Sequence, residues 1–169
     1  MHIKFGTHKR RRCTVRSVKC VLIIQVFFVL AFSSVRDHYN NRTYFILDEA
    51  LSWDEARARC NDSNEGHLAV ANSVKQFKFL RGLYDEYRAK GGIAVGAWMD
   101  GKYYSAAETW FCESYGPGTH CLSDMPWTYE EPNNVDDEKC IIVWFTRTDG
   151  VANYYCHKKM VAICTAYYR

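Results

Sequence analysis

The stretch Leu51-Ser-Trp-Asp-Glu-Ala-Arg-Ala-Arg-Cys60 carries the strongest local signal in the chain. Ser52 followed three residues later by Glu55 is a capping box: the serine hydroxyl accepts from the Glu55 amide and the glutamate accepts from the Ser52 amide, satisfying two orphaned donors. Trp53, Ala56 and Cys60 then fall at helical spacing, which predicts a first helix of about ten residues. Downstream, Ser73-Val-Lys-Gln76 is expected to open a second helix in the same way. Val74, Phe77, Leu80, Tyr84 and Tyr87 share its core face, and Gly91-Gly92 end it. From Ile93 onward the texture changes to short β-leaning runs: Ile93 to Trp98, Tyr103-Tyr104, Cys140 to Phe145 and Met160 to Cys164. Between Ala106 and Lys139 lies turn chemistry, including Gly116-Pro-Gly118 and Glu130-Glu-Pro-Asn-Asn134. A loop longer than about 15 residues in a compact domain is usually functional. Two helices followed by strands that carry one large loop make an α+β domain.

The chain length of 169 residues allows one domain with a short appendage, and the 48% hydrophobic content excludes a disordered chain. The formal charge of +3 divides unevenly: residues 1–33 hold seven of the 22 basic residues and no acid, leaving 15 basic against 19 acidic residues in the body. The basic stretch runs into the uncharged segment Val21 to Phe32, which is short for a membrane span of about 20 residues and suits a signal-peptide core, with Ala31 and Ser33 at the cleavage spacing. Residues 1–33 are therefore read as a signal peptide, residues 34–43 as a short extension and residues 44–169 as the domain, which makes the protein secreted. The competing reading is a signal anchor that leaves the domain outside a type II membrane protein. Lys9-Arg-Arg-Arg12 as a nucleic-acid patch is disfavoured by the adjoining apolar run and the acidic body.

Cysteine usage agrees with secretion. Cys13 and Cys20 belong to the leader, and six remain: Cys60, Cys112, Cys121, Cys140, Cys156 and Cys164. None has C-x-x-C spacing, so a disulfide framework is expected, with fifteen pairings open. Asn41-Arg-Thr43 and Asn61-Asp-Ser63 are glycosylation sequons.

Leu51 to Cys60, Gly66-His-Leu-Ala-Val70, Val95-Gly-Ala97, Trp127-Thr-Tyr-Glu-Glu-Pro-Asn-Asn134, Glu138-Lys-Cys140 and the final Cys156 and Cys164 together resemble a C-type lectin-like domain, from about Tyr44 to Ala166. The resemblance implies two helices, two small antiparallel sheets and a long disulfide-clamped loop region. It also implies the pairs Cys60–Cys164 and Cys140–Cys156, which leaves Cys112 for Cys121. In the chain-entropy account each bridge contributes roughly 3 to 5 kcal/mol, the longest ring most.

The resemblance further implies that Glu131-Pro132-Asn133, with the proline in cis, contributes oxygen ligands to one Ca²⁺ and favours mannose-type glycans. Glu138 matches the next carboxylate ligand. Calcium takes six to eight oxygens, so protein and sugar hydroxyls can share one shell. The family's Trp-Asn-Asp ahead of the third core cysteine is here Val151, Ala152 and Asn153. Ala152 removes an oxygen and Asn153 replaces a carboxylate, which leaves two carboxylates and weakens calcium. Asp136, Asp137 and Asp149 are the candidates to compensate. A second calcium site is not expected, because Asn134 and Lys139 stand where acids belong.

The expected site is thus Glu131, Asn133, Glu138 and Asn153, holding calcium and a glycan. The alternative is a calcium-independent module that binds a protein partner through the same loop. Gly96-Ala-Trp-Met-Asp-Gly-Lys102 approaches a phosphate-binding loop, but Tyr103 replaces the Mg²⁺-holding hydroxyl residue, so a core strand and turn is the better reading. His67, His120 and His157 lack metal-ligand spacing. No nucleophile motif points to an enzyme.

Overall fold

The computed structural model describes residues 35–62, 66–112, 114, 121, 125–144, 146–147 and 149–167. The leader, Ser63, the Gly116-Pro-Gly118 turn, His120 and Phe145 lie outside them. The elements in chain order are β1 (Arg36–Tyr39), β2 (Arg42–Leu51), α1 (Trp53–Asn61), β3 (His67–Leu68), α2 (Val74–Ala89), β4 (Gly96–Tyr104), β5 (Thr109–Phe111), β6 (Cys140–Trp144), β7 (Ala152–Tyr154) and β8 (Met160–Tyr167).

Helix α1 begins with the expected capping box: the Ser52 amide donates to Glu55 Oε2 at 2.7 Å, and the Glu55 amide reaches Ser52 Oγ at 3.5 Å. Trp53, Ala56 and Cys60 are buried, and the Trp53 indole donates to the Met99 carbonyl at 2.8 Å, fastening the helix to β4. Helix α2 is capped by Ser73, which accepts from the Gln76 amide at 3.1 Å. Its box is not closed, because the Gln76 side chain turns inward and donates to the Tyr44 hydroxyl at 3.1 Å. Phe77, Leu80, Tyr84 and Tyr87 form the expected buried face, joined by Leu83. Val74, the first residue of the helix, is 56% exposed, a correction to the core list, whereas Gln76 and Phe77 of the same turn are buried. Gly91, at φ 97°, turns the chain out of the helix.

The expected two antiparallel groups, β1-β2-β8 and β4-β6-β7, are both present. They join into one sheet through a short parallel pairing of β8 with β4, Ala97 opposite Val161 and Trp98 opposite Ala162. β3 pairs with β8 and β5 with β4. Side chains alternate across this sheet as strand geometry requires. Ala97, Met99, Ile141, Val143 and Ile163 pack with the α2 face, whereas Trp98, Ile142 and Ala162 pack with Trp53, Ala56 and Leu68. Burial on both faces explains the continuous apolar runs of β6 and β8.

The β4 expectation shifts along the chain. Ile93 and Val95 are exposed at 88% and 57%, and the strand runs unbroken through Tyr104. Gly101, at φ 141°, forms an irregularity in the β4–β6 register where a Cβ would lie 2.1 Å from Ile141 Cδ1. Gly96 to Lys102 is therefore strand and no phosphate loop. Residues 36–43, read as an extension, form β1 and the start of β2; Asn40 and Asn41 between them have φ of 49° and 59°, the left-handed pair that a tight hairpin requires. Tyr39 stacks on Phe79 of α2 at 5.0 Å between ring centroids.

The disulfides are Cys60–Cys164, Cys112–Cys121 and Cys140–Cys156, with sequence separations of 104, 9 and 16. The first ties α1 to β8, and the third ties the start of β6 to the segment after β7.

Candidate functional site

The long loop reaches its position by hydrogen bonding to the strand that precedes Asn153. Val151 N donates to the Pro126 carbonyl at 2.7 Å, and Thr128 N donates to the Val151 carbonyl at 2.9 Å. Gly150 permits this approach, because a Cβ there would sit 2.2 Å from the Pro126 carbonyl. The loop then turns through Glu130, at φ 64°, into a cis Glu131–Pro132 peptide, as expected. It turns again at Asn134, whose carbonyl accepts from Glu138 N at 2.9 Å.

Asn153 holds both halves of this turn. It lies in β7 opposite Ile141 and is 2% exposed. Its Oδ1 accepts from Asn133 N at 3.0 Å, and its Nδ2 donates to the Glu138 carbonyl at 2.7 Å and to the Asn133 carbonyl. One buried amide thus fixes the tripeptide and Glu138 beside each other. Asn133 Nδ2 donates to Glu131 Oε1 at 2.9 Å, which orients the two side chains mutually.

Glu131, Asn133, Glu138 and Asn153 line a groove of about 310 Å³, with Trp144, Thr146, Arg147 and Tyr154 completing its wall. All four expected site residues meet there. Burial, and then the neighbouring Glu131 charge, raise the Glu138 carboxyl above the ordinary carboxylate range, while a hydrogen bond from Tyr155 opposes the shift. The Tyr155 hydroxyl is raised in turn, chiefly by the Glu138 charge. A carboxyl raised by burial and by a neighbouring negative charge is one whose ionised form a bound cation would favour.

The fit to calcium is partial. Glu131, Glu138 and the amide oxygen of Asn133 are the side-chain donors that remain, since Asn153 is engaged with the backbone. Ala152 packs into the apolar core and offers no oxygen. Asp149 accepts from the Thr128 hydroxyl, which lowers its carboxyl, and Asp136 and Asp137 line a different cleft with Asp54, Lys139 and Lys159. None of the three compensates within the groove. Among the described residues no three His, Cys, Asp or Glu side chains converge on one point. The donor set suits one weakly held ion whose shell is completed by water and ligand hydroxyls.

Arg147 is the charged residue of the groove that sequence reasoning missed. Arg147 Nη1 lies 3.4 Å from Glu131 Oε1, and the Glu131 side chain is only 5% exposed. The available signal was position: Thr146-Arg147 falls in the short connection between β6 and β7, and β7 carries Asn153. Among the described residues no histidine lines the groove. His67 Nε2 contacts Arg42 at 3.0 Å on the far side of β8, and His157 is exposed. Tyr129 is 78% exposed beside the groove, whereas Trp110 and Trp127 pack on each other at 5.0 Å.

Comparison with known proteins identifies the family and the fold. The Lectin C-type domain model matches residues 49–166. The human C-type lectin domain family 17, member A, is 28% identical over 127 residues, covering 75% of this chain and 30% of that protein, so the chain spans under a third of that relative's length. Human lithostathine has a TM-score of 0.67 at 19% identity, covering 79% of this chain and 97% of that one. The mouse scavenger receptor C-type lectin carbohydrate-recognition domain has a TM-score of 0.63 at 16% identity, covering 80% and 95%. A calcium-independent type II antifreeze protein has a TM-score of 0.62 at 19% identity, covering 79% and 92%. At these identities the solved structures establish the fold alone. Because the family model spans well over half of the sequence, the chain belongs to the C-type lectin domain family, whose members bind glycans or proteins and are generally not enzymes.

Proposed function

We propose that the domain recognises mannose-type glycans through one Ca²⁺ held by Glu131, Asn133 and Glu138, with Asn153 positioning these groups. The observation that carries this reading is the pair of carboxylates, Glu131 and Glu138, that face one groove, where Asn153 holds their two segments side by side. When bound, calcium supplies a Lewis-acidic centre for vicinal sugar hydroxyls. Glu131 and Asn133 orient the sugar by hydrogen bonding, and the Asn153 amide keeps the turn in register. The three disulfides support an extracellular setting, where glycans and millimolar calcium coexist. Asn41 and Asn61 are both exposed and are proposed glycan acceptors in that compartment.

Calorimetric calcium titration of the oxidised domain tests the site. A dissociation constant of about 10⁻⁴ to 10⁻³ M, lost or strongly weakened in Glu131→Gln, is expected. Equal affinity in the two proteins would show that the ligands are misplaced.

A second reading rests on Ala152 and on the Arg147 contact. Both reduce the attraction for calcium and suit a calcium-independent module that takes a protein partner on the same surface, with Tyr129 exposed at its edge. Chelator-insensitive partner binding would select that reading.

A further inference from the structure

The described part of the β6–β7 connection places a cation on Glu131, whose side chain is 5% exposed. Arg147 Nη1 lies 3.4 Å from Glu131 Oε1 and donates to the Tyr129 carbonyl at 3.1 Å, so the guanidinium bridges the connection to the turn that carries the tripeptide. The connection is itself fastened to α2. Arg81 Nη1 donates to the Trp144 carbonyl at 2.9 Å and to the Arg147 carbonyl at 2.7 Å, while Arg81 Nε pairs with Asp85 at 2.9 Å. The Arg81 side chain is 11% exposed, which makes the anchor stiffer than a surface pair, whereas Arg147 itself is 43% exposed. Its backbone is thus held while its side chain retains room to swing into solvent.

We propose that Arg147 is a resident counter-cation of the groove: it neutralises Glu131 when calcium is absent and competes with Ca²⁺ for that carboxylate, setting the calcium threshold of the site. This rests on the calcium reading above. The competition follows from reach. An ion bound to Glu131 Oε1 at the usual distance of about 2.5 Å cannot lie more than roughly 6 Å from a guanidinium nitrogen that stays 3.4 Å from the same oxygen. Repulsion between one and two positive charges at that separation, in water-like dielectric, corresponds to about a tenfold loss of calcium affinity. The side chain must therefore either remain at that cost or leave its contacts with Glu131 and Tyr129. Either way calcium meets an opponent that the two carboxylates alone would not present. The consequence is a site that stays empty at low calcium and fills in the high extracellular range.

The test is calcium calorimetry on three oxidised proteins: wild type, Arg147→Gln and Arg147→Lys, each checked for native near-UV circular dichroism. Arg147→Gln should bind calcium about tenfold more tightly than wild type, and Arg147→Lys, which keeps the charge, should stay within about threefold of wild type. Equal, finite affinities in wild type and Arg147→Gln overturn the inference and leave the calcium site standing. Tighter binding in both variants also overturns it, since charge would then not be the cause. No calcium heat in any of the three proteins overturns the calcium reading, and this inference with it.

Discussion

Replacing Asn153 by alanine should damage the domain more than any other change at the groove, and the structure sets the size of the effect. The amide is 2% exposed and makes three hydrogen bonds to backbone groups of Asn133 and Glu138. A typical intramolecular hydrogen bond contributes about 1 kcal/mol net, and partners left buried without a replacement cost about 1 to 3 kcal/mol each. The Asn133 and Glu138 segments lie partly in solvent, so water recovers some of that loss. About 3 kcal/mol of destabilisation is the expected result. Urea unfolding under oxidising conditions reads this as a midpoint lowered by roughly 1.5 M for a slope of about 2 kcal/mol/M. The same variant should lose glycan binding even where most of it is folded, because Glu131 and Glu138 would no longer be held beside each other. A midpoint within 0.25 M of wild type, taken as roughly 0.5 kcal/mol at that slope, would refute the positioning role assigned to Asn153.

Removing Cys60–Cys164, which closes a separation of 104 residues, should cost about 4.7 kcal/mol in the chain-entropy account. Removing Cys112–Cys121, with a separation of 9, should cost about 2.7 kcal/mol, and paired serine variants compared by denaturant unfolding should show that order. Glu138 has a raised folded-state carboxyl, so its ionisation opposes folding: stability from this group is present at low pH and falls as pH rises from the unfolded value through the folded one. Glu138→Gln should therefore stabilise the calcium-free domain at neutral pH while weakening calcium binding; a destabilised variant contradicts the assignment. Glu55 shows the opposite sign. The Lys159 and Ser52 hydrogen bonds hold its carboxyl down at about 2, so its contribution is present above the unfolded value and is lost as pH falls toward 2. A carboxyl titration followed by NMR should show Glu55 as one of the last side chains to protonate, and a midpoint near the usual glutamate range would contradict the cap geometry.

Much of the fold was legible because its signals are local. The Ser52–Glu55 box, the spacing of Trp53, Ala56 and Cys60, and the apolar stripe of α2 each follow from a few adjacent residues, and all three appear in the structure. The errors occur where tertiary context outweighs propensity. Gln76 abandons the cap for Tyr44, Val74 and Ile93 fall beyond the packed region, and residues 36–43 pair as a hairpin that β2 and Tyr39 stabilise. The same division holds at the groove. Glu131, Asn133, Glu138 and Asn153 are what the family resemblance implies, and they line one groove. That Asn153 would engage the backbone, and that Arg147 would lie on Glu131, depends on how the 125–139 loop and the β6–β7 connection cross in space. No spacing along the chain encodes that crossing.

The central claim is tested most directly by retention of the disulfide-intact domain on immobilised mannan at about 5 mM calcium, roughly fivefold above the weak end of extracellular module affinities. Retention in calcium with release by chelator, absent in Glu131→Gln, is the predicted result. Passage of the wild-type domain unretained in calcium, or retention that chelator does not disturb, would contradict it.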